Sequence, residues 1–431
     1  MRLRADVPVG TYLSGGLDSS AIAALARLRS SGARPRVHAL VFWGALGCAV
    51  LVKGPIAPMV SALTLIALAV WERRAAWMKP LLWWAGPLLL LAIVAPWAIA
   101  IGIVTHGQFY SDAVGVDLGP KLSGGDHAHR GLPGYYTLLL PFLIFPATYA
   151  LPAAVRLGWS ALRAKRDDAG QAPYRFLLAW ALPAFLMFEL LPGKLVHYTL
   201  PTYPAIALLC GAGLAEMLGR RWRTAHPLGL VLFGVAGAVL VAIMAVAATF
   251  MPGDMSADLR RSISAGLIGA AILITAIVAL WMLRRPAARL AALVVCALAL
   301  SFSLRERILA DAHNLFVSND AVSALARARL LPRDDRALWV VGYDQPSLVF
   351  LTRTTTHLAH TDQAAAGVHP GDALIIEGRK LQEMQAALLA RDLSFEQTEE
   401  VRGFSLGDGK NVALFIGRAG AAQAGAPPQR P

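Results

Sequence analysis

The sequence has little charge, few cysteines and no segment that resembles a secretion signal. Asp, Glu, Lys and Arg make up 16% of its 431 residues, against about 25% in ordinary soluble domains. Its three cysteines, Cys48, Cys210 and Cys296, all lie in apolar runs, which excludes a disulfide framework. No apolar run directly follows the basic start MRLRADVPVG, so no signal peptide is predicted. Hydrophobic residues instead reach 56% of the chain, which excludes an ordinary soluble protein.

The charge is strongly biased towards basic residues. Forty Lys and Arg against 27 Asp and Glu give a net charge of +13. Such an excess can accompany nucleic-acid binding. Here the basic residues cluster in short loops between apolar runs, which is typical of membrane topology. We therefore predict a membrane protein with no nucleic-acid partner.

Apolar runs recur along residues 37–304 at lengths close to a membrane span. A helix needs about 20 apolar residues to cross a bilayer. We predict an all-α polytopic membrane protein with about nine transmembrane segments in this region. The predicted segments are 39–52, 56–71, 81–104, 135–155, 176–191, 200–218, 227–250, 263–283 and 290–304.

The loops between these segments fall into two sets that alternate along the chain. One set carries fourteen Lys and Arg in all: 73–79, 156–175, 220–223 and 284–289. The other carries six: Lys53, 105–133, Lys194 and 251–262. The positive-inside rule places the first set in the cytoplasm. This predicts a multi-pass protein of the bacterial inner membrane, with a cytoplasmic N-terminus and a periplasmic C-terminal domain.

The C-terminal region, residues 305–418, has the pattern of a small extracytoplasmic α/β domain. RKLQEMQAALLARDL, residues 379–393, has apolar residues at helical spacing. The composition of the last residues, 419–431, predicts a disordered tail. Four segments are strand-like: ALWVVGY, SLVFLT, DALIIEG and VALFIG.

The string SGGLDSS, residues 14–20, has the composition of a phosphate-binding loop. Glycines let a backbone approach an anion closely, and hydroxyls and a helix N-terminus offer donors to phosphate. The apolar stretch VPVGTYL precedes the string and the helical pattern AIAALARL follows it. The pattern predicts a strand, a loop and a helix.

The wider string RLRADVPVGTYLSGGLDSSAIAALA resembles the synthetase domain of glutamine-hydrolysing asparagine synthetase, one of the N-type ATP pyrophosphatases. The segment lacks an N-terminal cysteine nucleophile and the further strands of a parallel sheet. Since a piece this short cannot bury a core unaided, we expect residues 1–36 to form a poorly ordered cytoplasmic leader. The resemblance implies that these residues line the pyrophosphate of ATP: Ser14, Gly15, Gly16, Asp18 and Ser19.

Three other strings resemble the bacterial lipid-linked-sugar glycosyltransferases, relatives of protein O-mannosyltransferases and of the aminoarabinose transferase that modifies lipid A. With the C-terminal domain, this resemblance covers residues 39–418 and indicates a fusion of two unrelated pieces near residues 36–41. It implies a partial C-type glycosyltransferase fold, a polyprenyl-phosphate sugar donor and a lipid or glycan acceptor. The strings are VFWGALGCAVLVKGPIAPMV, GQFYSDAVGVDLGPKLSGGDHAHRGLPGYYTLLLPFLIFPAT and LLPGKLVHYTLPTYPAIALL.

Two lysines on the predicted extracytoplasmic side are candidates to bind the donor phosphate. Lys53 and Lys194 each lie beside a helix-breaking Gly or Pro, and cations at the membrane interface can hold an anionic head group. His197 and Tyr198 follow closely and could donate hydrogen bonds. In the resemblance, Lys194 and Tyr198 match positions near the lipid phosphate. Both lysines could instead extend to the interface without binding a ligand.

The loop 105–133 is a second candidate region. Where the family usually has Glu-x-His-Gly-x-Pro-Pro-Gly-Tyr-Tyr, this chain keeps the histidine at His129 but has His127 in place of Glu. The two histidines could be a metal pair, although no third ligand is evident; a solvated loop is the alternative. The candidate residues are Asp112, Asp117, Asp126, His129 and Tyr135.

No catalytic residue can be assigned. The resemblance implies a carboxylate in the first extracytoplasmic loop that takes the proton from the acceptor hydroxyl. The matching segment starts after that point, so we expect a transferase truncated at its N-terminus and weak or inactive.

Two alternatives stay open at this point. One is an ATP-dependent amidotransferase fragment of the asparagine synthetase type, and only that function would require ATP. The other is a non-catalytic membrane scaffold whose C-terminal domain binds a partner. A divalent metal is left open, and no other cofactor is predicted.

Overall fold

The computed structural model contains two compact units, each described by itself. The first, which we call the membrane body, takes its described residues from Val9–Leu240 and Ala271–Leu298. The second takes them from Val241–Ala270 and Ala299–Pro431. The structure describes residues 10–31, 34–73, 75–111, 113, 115, 131–165, 168–218, 225–250, 255–283, 285–310, 312–405 and 409–421.

Helices make up most of the described chain as far as residue 302. The long ones are mostly apolar on all faces, so they are stable only where lipid or other helices cover them. The helices are α1 (Gly10–Ser31), α2 (Pro35–Lys53), α3 (Ile56–Glu72), α4 (Ala85–Val104), α5 (Gln108–Ser111), α6 (Tyr135–Leu143), α7 (Leu151–Arg163), α8 (Ala172–Leu190), α9 (Tyr203–Leu218), α10 (Ala225–Ala247), α11 (Met255–Met282) and α12 (Pro286–Phe302).

Helix α4 shows why this is a membrane protein. Its side chains include Ile99, Ile103 and Val104, which are 61%, 69% and 75% exposed. A surface of this kind would aggregate in water, whereas lipid tails cover it without cost. The chain is therefore a multi-span membrane protein, as its composition predicted.

The predicted count of nine spans is not confirmed. Within the described ranges, six helices are long and apolar enough to cross a membrane, and one bent pair could form a seventh span. Helix α3 is apolar but has only 17 residues, and α8 carries Arg175 and Glu189, both buried. The six are Pro35–Lys53, Ala85–Val104, Leu200–Met217, His226–Ala247, Leu259–Met282 and Pro286–Glu306.

The predicted span 135–155 is not one straight helix. The chain bends by 113° between Tyr135–Leu143 and Ala147–Arg163. Pro146 lies in the intervening turn, and a proline both lacks an N–H donor and clashes with the preceding turn of a helix. The bend leaves the short helix α6 with its N-terminus beside the end of α8.

Small residues allow close helix packing in the membrane body. Helix α2 packs against α1 and α4, and α7 packs against α9. A β-carbon at Gly213 of α9 would lie 2.8 Å from the backbone nitrogen of Ala154 in α7. Only glycine permits that approach, which is the usual role of small residues between membrane helices.

The N-terminal segment differs from its prediction. Residues 14–20 lie inside α1 and do not form a loop between a strand and a helix. A backbone within a helix directs its N–H groups to its own carbonyls, so it cannot surround a phosphate as a loop does. The helix forms because it packs into the core of the membrane body. The side chains of Ser14, Gly15, Asp18 and Ser19 lie outside what the structure describes.

A five-stranded sheet forms the centre of the C-terminal domain, in agreement with the α/β prediction. Its order is β2-β1-β3-β5-β4. β1 pairs in parallel with β2 and β3, and β5 pairs antiparallel with β3 and β4. The strands are β1 (Leu338–Val341), β2 (His357–Ala359), β3 (Ala373–Glu377), β4 (Leu393–Ser405) and β5 (Lys410–Ala421). Four helices accompany them: α13 (Val317–Arg327), α14 (Pro346–Leu351), α15 (Thr361–Gly367) and α16 (Leu381–Leu389).

Three of the four strand-like segments and the helix at 379–393 correspond to β1, β3, β5 and α16. The segment SLVFLT was predicted wrongly, because it lies largely in α14 with Pro346 in the first turn, where proline favours a helix. Strand β5 continues to Ala421, into the predicted tail, and residues 422–431 lie outside the described range. The domain boundaries 1–36, 37–304, 305–418 and 419–431 stay predictions.

Candidate functional site

Lys194 is a buried cation in the turn that follows α8. Its side chain is only 5% exposed. Its Nζ donates to the carbonyl oxygens of Phe188, at 3.0 Å, and of Glu189. These carbonyls belong to the last turn of α8, where the helix itself leaves acceptors unsatisfied and favours a positive charge. Burial lowers the pKa of Lys194, and the negative charge of Glu189 partly offsets that effect.

Glu189 lies one turn before Lys194 and was missed by the sequence analysis. Its carboxylate, in a residue 7% exposed, accepts hydrogen bonds from the N–H groups of Gly134 and Tyr136, the second at 3.2 Å. These N–H groups lie at the start of α6, where a negative charge stabilises a helix. An acidic residue within an apolar helix was the available signal, because such residues are seldom placed there without a partner.

Tyr136 joins the two chain segments. The Nζ of Lys194 lies 5.2 Å from the centre of its ring, a cation–π contact. Its hydroxyl donates to the carbonyl of Leu195 at 3.0 Å and accepts from the N–H of Leu195 at 3.2 Å. The N–H of Gly131 also donates to the carbonyl of Pro192 at 3.1 Å. The segments 131–136 and 188–195 are thus held together; we call Glu189, Lys194, Tyr135 and Tyr136 the α8-end cluster.

Aromatic rings lie within this cluster and beside it. The rings of Tyr135 and Tyr136 meet edge to face at 5.1 Å. The ring of Tyr198 lies 5.2 Å from that of His197 and 5.9 Å from that of Phe188. Tyr135, His197 and Tyr198 are all partly exposed, so a ligand could reach them at the edge of the buried cluster.

The structure therefore groups several of the predicted site residues and leaves others apart. Lys194, His197 and Tyr198 share one turn, and Tyr135 joins them from α6. Lys53 ends α2, is partly buried and precedes Gly54, whose φ of 63° reverses the chain before α3. Its assignment to a donor phosphate stays a prediction.

Most of the loop 105–133 lies outside the described residues. Asp112, Asp117, Asp126 and His129 all fall there, as does His127. In the part of the chain that the structure describes, no group of three His, Cys, Asp or Glu side chains could hold a metal ion. The predicted histidine pair lies outside those residues, and the catalytic residue stays unassigned.

A buried cation with hydroxyl and imidazole groups at its edge is suited to an anionic ligand. An ammonium group has three N–H donors, and the two described hydrogen bonds of Lys194 use two of them. The low dielectric of the site strengthens its attraction for a negative charge. A phosphate at a membrane interface is an anion of the appropriate kind.

Two solved structures share this fold. They are the crystal structures of ArnT from Cupriavidus metallidurans, one bound to undecaprenyl phosphate and one in the apo state, with TM-scores of 0.66 and 0.63 and 17% sequence identity. The first match covers 97% of this chain and 76% of that one. The chain therefore has an ArnT-like fold, with apolar helices and a small C-terminal sheet domain.

Curated relatives point to the same class of enzyme. The chain is 29% identical over 224 residues to an undecaprenyl phosphate-alpha-4-amino-4-deoxy-L-arabinose arabinosyl transferase of Aeromonas salmonicida (strain A449), covering 50% of this chain and 38% of the relative. It is 30% identical over 232 residues to the enzyme so named from Pectobacterium atrosepticum, covering 50% and 39%. The chain thus spans about two fifths of the length of the curated relatives it matches. This confirms the resemblance to lipid-linked-sugar glycosyltransferases.

The N-terminal resemblance is also confirmed. The family model described as asparagine synthase matches residues 1–42, which include α1 and the start of α2.

Proposed function

We propose that the chain is a membrane glycosyltransferase of the lipid-linked-sugar type. Its reaction is the transfer of a sugar from a polyprenyl-phosphate donor to a lipid or glycan acceptor at the periplasmic face of the bacterial inner membrane. Because no catalytic carboxylate is assigned, we expect the rate to be low. The observation that carries the proposal is the ArnT fold over nearly the whole chain, joined to a buried lysine at a helix end. No other class suggested by the sequence has comparable support.

In this proposal the α8-end cluster holds the donor phosphate. The remaining N–H of Lys194 donates to a phosphate oxygen, and His197 and Tyr198 supply further hydrogen bonds. Lys53 contributes a second positive charge from the end of α2. Charge-assisted hydrogen bonds of this kind are about twice as strong as neutral ones, so the two lysines provide most of the affinity.

Glu189 has a positioning role in the same scheme. Its carboxylate holds the first turn of α6, which places Tyr135 and Tyr136 against the Lys194 turn. It also keeps a negative charge near Lys194, which favours the protonated amine. The site is therefore arranged before a ligand arrives, which reduces the cost of binding.

The charge of the loops supports an orientation for this site. The loops that carry fourteen basic residues, among them 73–79 and 156–175, are placed in the cytoplasm. The turn that holds Lys194 then faces the periplasm, as does the C-terminal domain. That is the side on which a periplasmic transfer requires the donor head group.

Binding of a short lipid phosphate tests the donor site. Farnesyl phosphate is the probe, farnesol is the matched control without phosphate, and the purified full chain in detergent is assayed by native mass spectrometry. We expect retention of farnesyl phosphate alone, with about tenfold weaker binding for Lys194→Met and for Lys53→Met. Lys79→Met, on the cytoplasmic side, should bind as the unaltered chain does. Equal binding by all four proteins would overturn the assignment of the two lysines.

Sugar transfer is a separate test. Membranes that contain the chain are supplied with a polyprenyl-phosphate-linked radioactive sugar, and the lipid and glycan fractions are counted. Label in either fraction above that of membranes without the chain supports a transferase. Binding of farnesyl phosphate without any transfer would contradict the transferase function and leave the lipid-phosphate site standing.

A further inference from the structure

Helix α1 is packed into the membrane body, although its residues match a family of soluble synthetases. Its apolar residues recur at helical spacing and enter the same core as residues of α2, among them Phe42 and Leu46. Spacing of this kind places one face of a helix against its neighbours. The buried residues of α1 are all less than 5% exposed: Ala21, Ile22, Ala24, Leu25 and Leu28.

Arg29 fixes the C-terminal end of α1. Its Nε donates to Glu72 at 3.3 Å, and a second guanidinium nitrogen donates to the other oxygen of the same carboxylate. A third nitrogen donates to the carbonyl of Ala172 at 3.2 Å, and the guanidinium lies 5.8 Å from the ring of Phe176. Both charged side chains are largely buried, at 16% and 14% exposure. One residue thus joins the end of α3 to the start of α8.

The contacts of α1 also give its direction. Only residues 32–34 separate it from α2, so two helices in extensive contact must run antiparallel. Arg29 lies at the start of α8, and α1 also contacts Leu200–Thr202, which follow the end of α8. The C-terminal end of α1 therefore lies near the start of α8, and another part of α1 lies near the residues that follow α8. At about 1.5 Å per residue its 22 residues are about as long as the hydrocarbon core is thick.

We propose that residues 10–31 serve as a membrane-crossing helix of this body, docked on the face formed by α2, α3 and α8, with the N-terminal end on the extracytoplasmic side. The segment matched by the synthetase family therefore has a structural role here in place of nucleotide binding. This proposal replaces the expected cytoplasmic N-terminus and does not depend on the donor site.

The charges near α1 agree with this direction. Residues 27–36 hold four arginines, whereas residues 1–9 hold two. The positive-inside rule places the richer segment in the cytoplasm, together with the loops 73–79 and 156–175 that flank Glu72 and Ala172. The arginines of residues 27–36 and the loops beside Glu72 and Ala172 therefore indicate the same side of the membrane.

Helix α1 is more polar than the six spans, and two of its polar side chains are satisfied within the protein. Arg29 is paired within the body, and the hydroxyl of Ser20 donates to the carbonyl of Gly16 at 2.7 Å. A hydroxyl bonded to its own helix leaves no donor to be satisfied by lipid. Neighbouring helices cover the buried face.

The location of the N-terminus tests the direction. The full chain carries an N-terminal epitope tag followed by a flexible linker with a TEV protease site, and TEV protease is added to intact spheroplasts and to lysed ones. We expect loss of the tag in intact spheroplasts, while a tagged cytoplasmic protein in the same cells stays uncut. Cleavage that occurs only after lysis would overturn the proposal.

The melting temperature of the purified chain in detergent tests the docking. Arg29→Ala leaves Glu72 buried without its partner, so we expect a fall of several degrees. Arg27→Ala, at an exposed position of the same helix, is the matched control and should shift the melting temperature by a degree or less. Adding Glu72→Ala to Arg29→Ala should cost less than the sum of the two single changes. Equal shifts for the two arginine variants would contradict the docking.

Discussion

Two cations lie near opposite ends of α8, Arg29 of α1 at its start and Lys194 beyond its end, and they are balanced differently. At its start, Arg29 forms a two-point ion pair with Glu72. At its end, Lys194 donates to backbone carbonyls, while the carboxylate of Glu189 accepts from the N–H groups of Gly134 and Tyr136. Arg29 directs two donors to one carboxylate, whereas the two described hydrogen bonds of Lys194 go to carbonyls and leave one N–H for a ligand. Arg29 therefore forms a structural contact, whereas Lys194 belongs to a candidate binding site.

The largest expected effect is that of Glu189→Ala. The change removes the acceptor of two N–H groups at the start of α6 and the negative charge near Lys194. Loss of a buried charged partner should lower the free energy of unfolding by about 3 kcal/mol, measured by denaturation in detergent. Glu189→Gln keeps one acceptor oxygen and should lose less. If the two variants were equally stable, Glu189 would not have the proposed contacts.

The second effect is the pH dependence of phosphate binding. Burial lowers the pKa of Lys194, so this amine loses its proton at a lower pH than an exposed lysine does. Because the charged form attracts the phosphate, affinity for farnesyl phosphate should fall, by about tenfold or 1.4 kcal/mol, as alkaline pH passes through that pKa. The binding assay is repeated across the alkaline range.

Lys194→Arg is the control for this pH dependence, since arginine stays charged throughout. If Lys194→Arg binds farnesyl phosphate, its affinity should change little with pH. The effect of rising pH on folding stability is opposite in sign to its effect on phosphate binding. Since the folded state disfavours the charged lysine, the folding penalty is present below the lowered pKa and is relieved as the pH rises. Affinity that falls equally in both proteins would assign the titration to another group.

A smaller effect is expected of Tyr136→Phe. The variant keeps the ring beside Lys194 and removes only the hydroxyl, which bonds the backbone of Leu195 in both directions. Loss of these hydrogen bonds should cost about 1 kcal/mol of unfolding free energy. Tyr135→Phe, the neighbouring and partly exposed tyrosine, is the control and should cost less. Equal losses would show that the Leu195 contacts are not stabilising.

The smallest effect comes from an ion pair in water. Arg418 and Glu396 of the C-terminal sheet pair at 2.6 Å, with side chains 57% and 46% exposed. Removing one partner by Arg418→Ala should change the unfolding free energy by less than about 0.5 kcal/mol. A loss as large as that of Arg29→Ala would contradict the expectation that an exposed ion pair stabilises the fold less than a buried one.

Much of the fold follows from local sequence patterns. Every predicted apolar segment corresponds to helical structure, because a long apolar run has only one stable form in lipid. The break of the segment 135–155 and the wrong strand at SLVFLT both involve proline. A six-residue apolar run fits a strand or a helix equally well, and Pro346 in the first turn accords with the helix.

The candidate site was only partly predictable. Lys194, His197 and Tyr198 lie in one short string, so their proximity could be foreseen. Glu189 meets Gly134 and Tyr136 across more than fifty residues of sequence, and no local pattern reports such a contact. Helix α1 shows the opposite error, since a motif typical of one family was interpreted without the neighbours that hold it as a helix here.

The central claim is that a lipid-linked phosphate binds at the end of α8 that carries Lys194. A photoreactive polyprenyl phosphate, with its reactive group next to the phosphate, is cross-linked to the full chain in membranes, and the labelled peptides are sequenced. We expect label within residues 131–148 and 190–209. Farnesyl phosphate should reduce this labelling, and farnesol should not. Label confined to other segments, or unaffected by farnesyl phosphate, would contradict it.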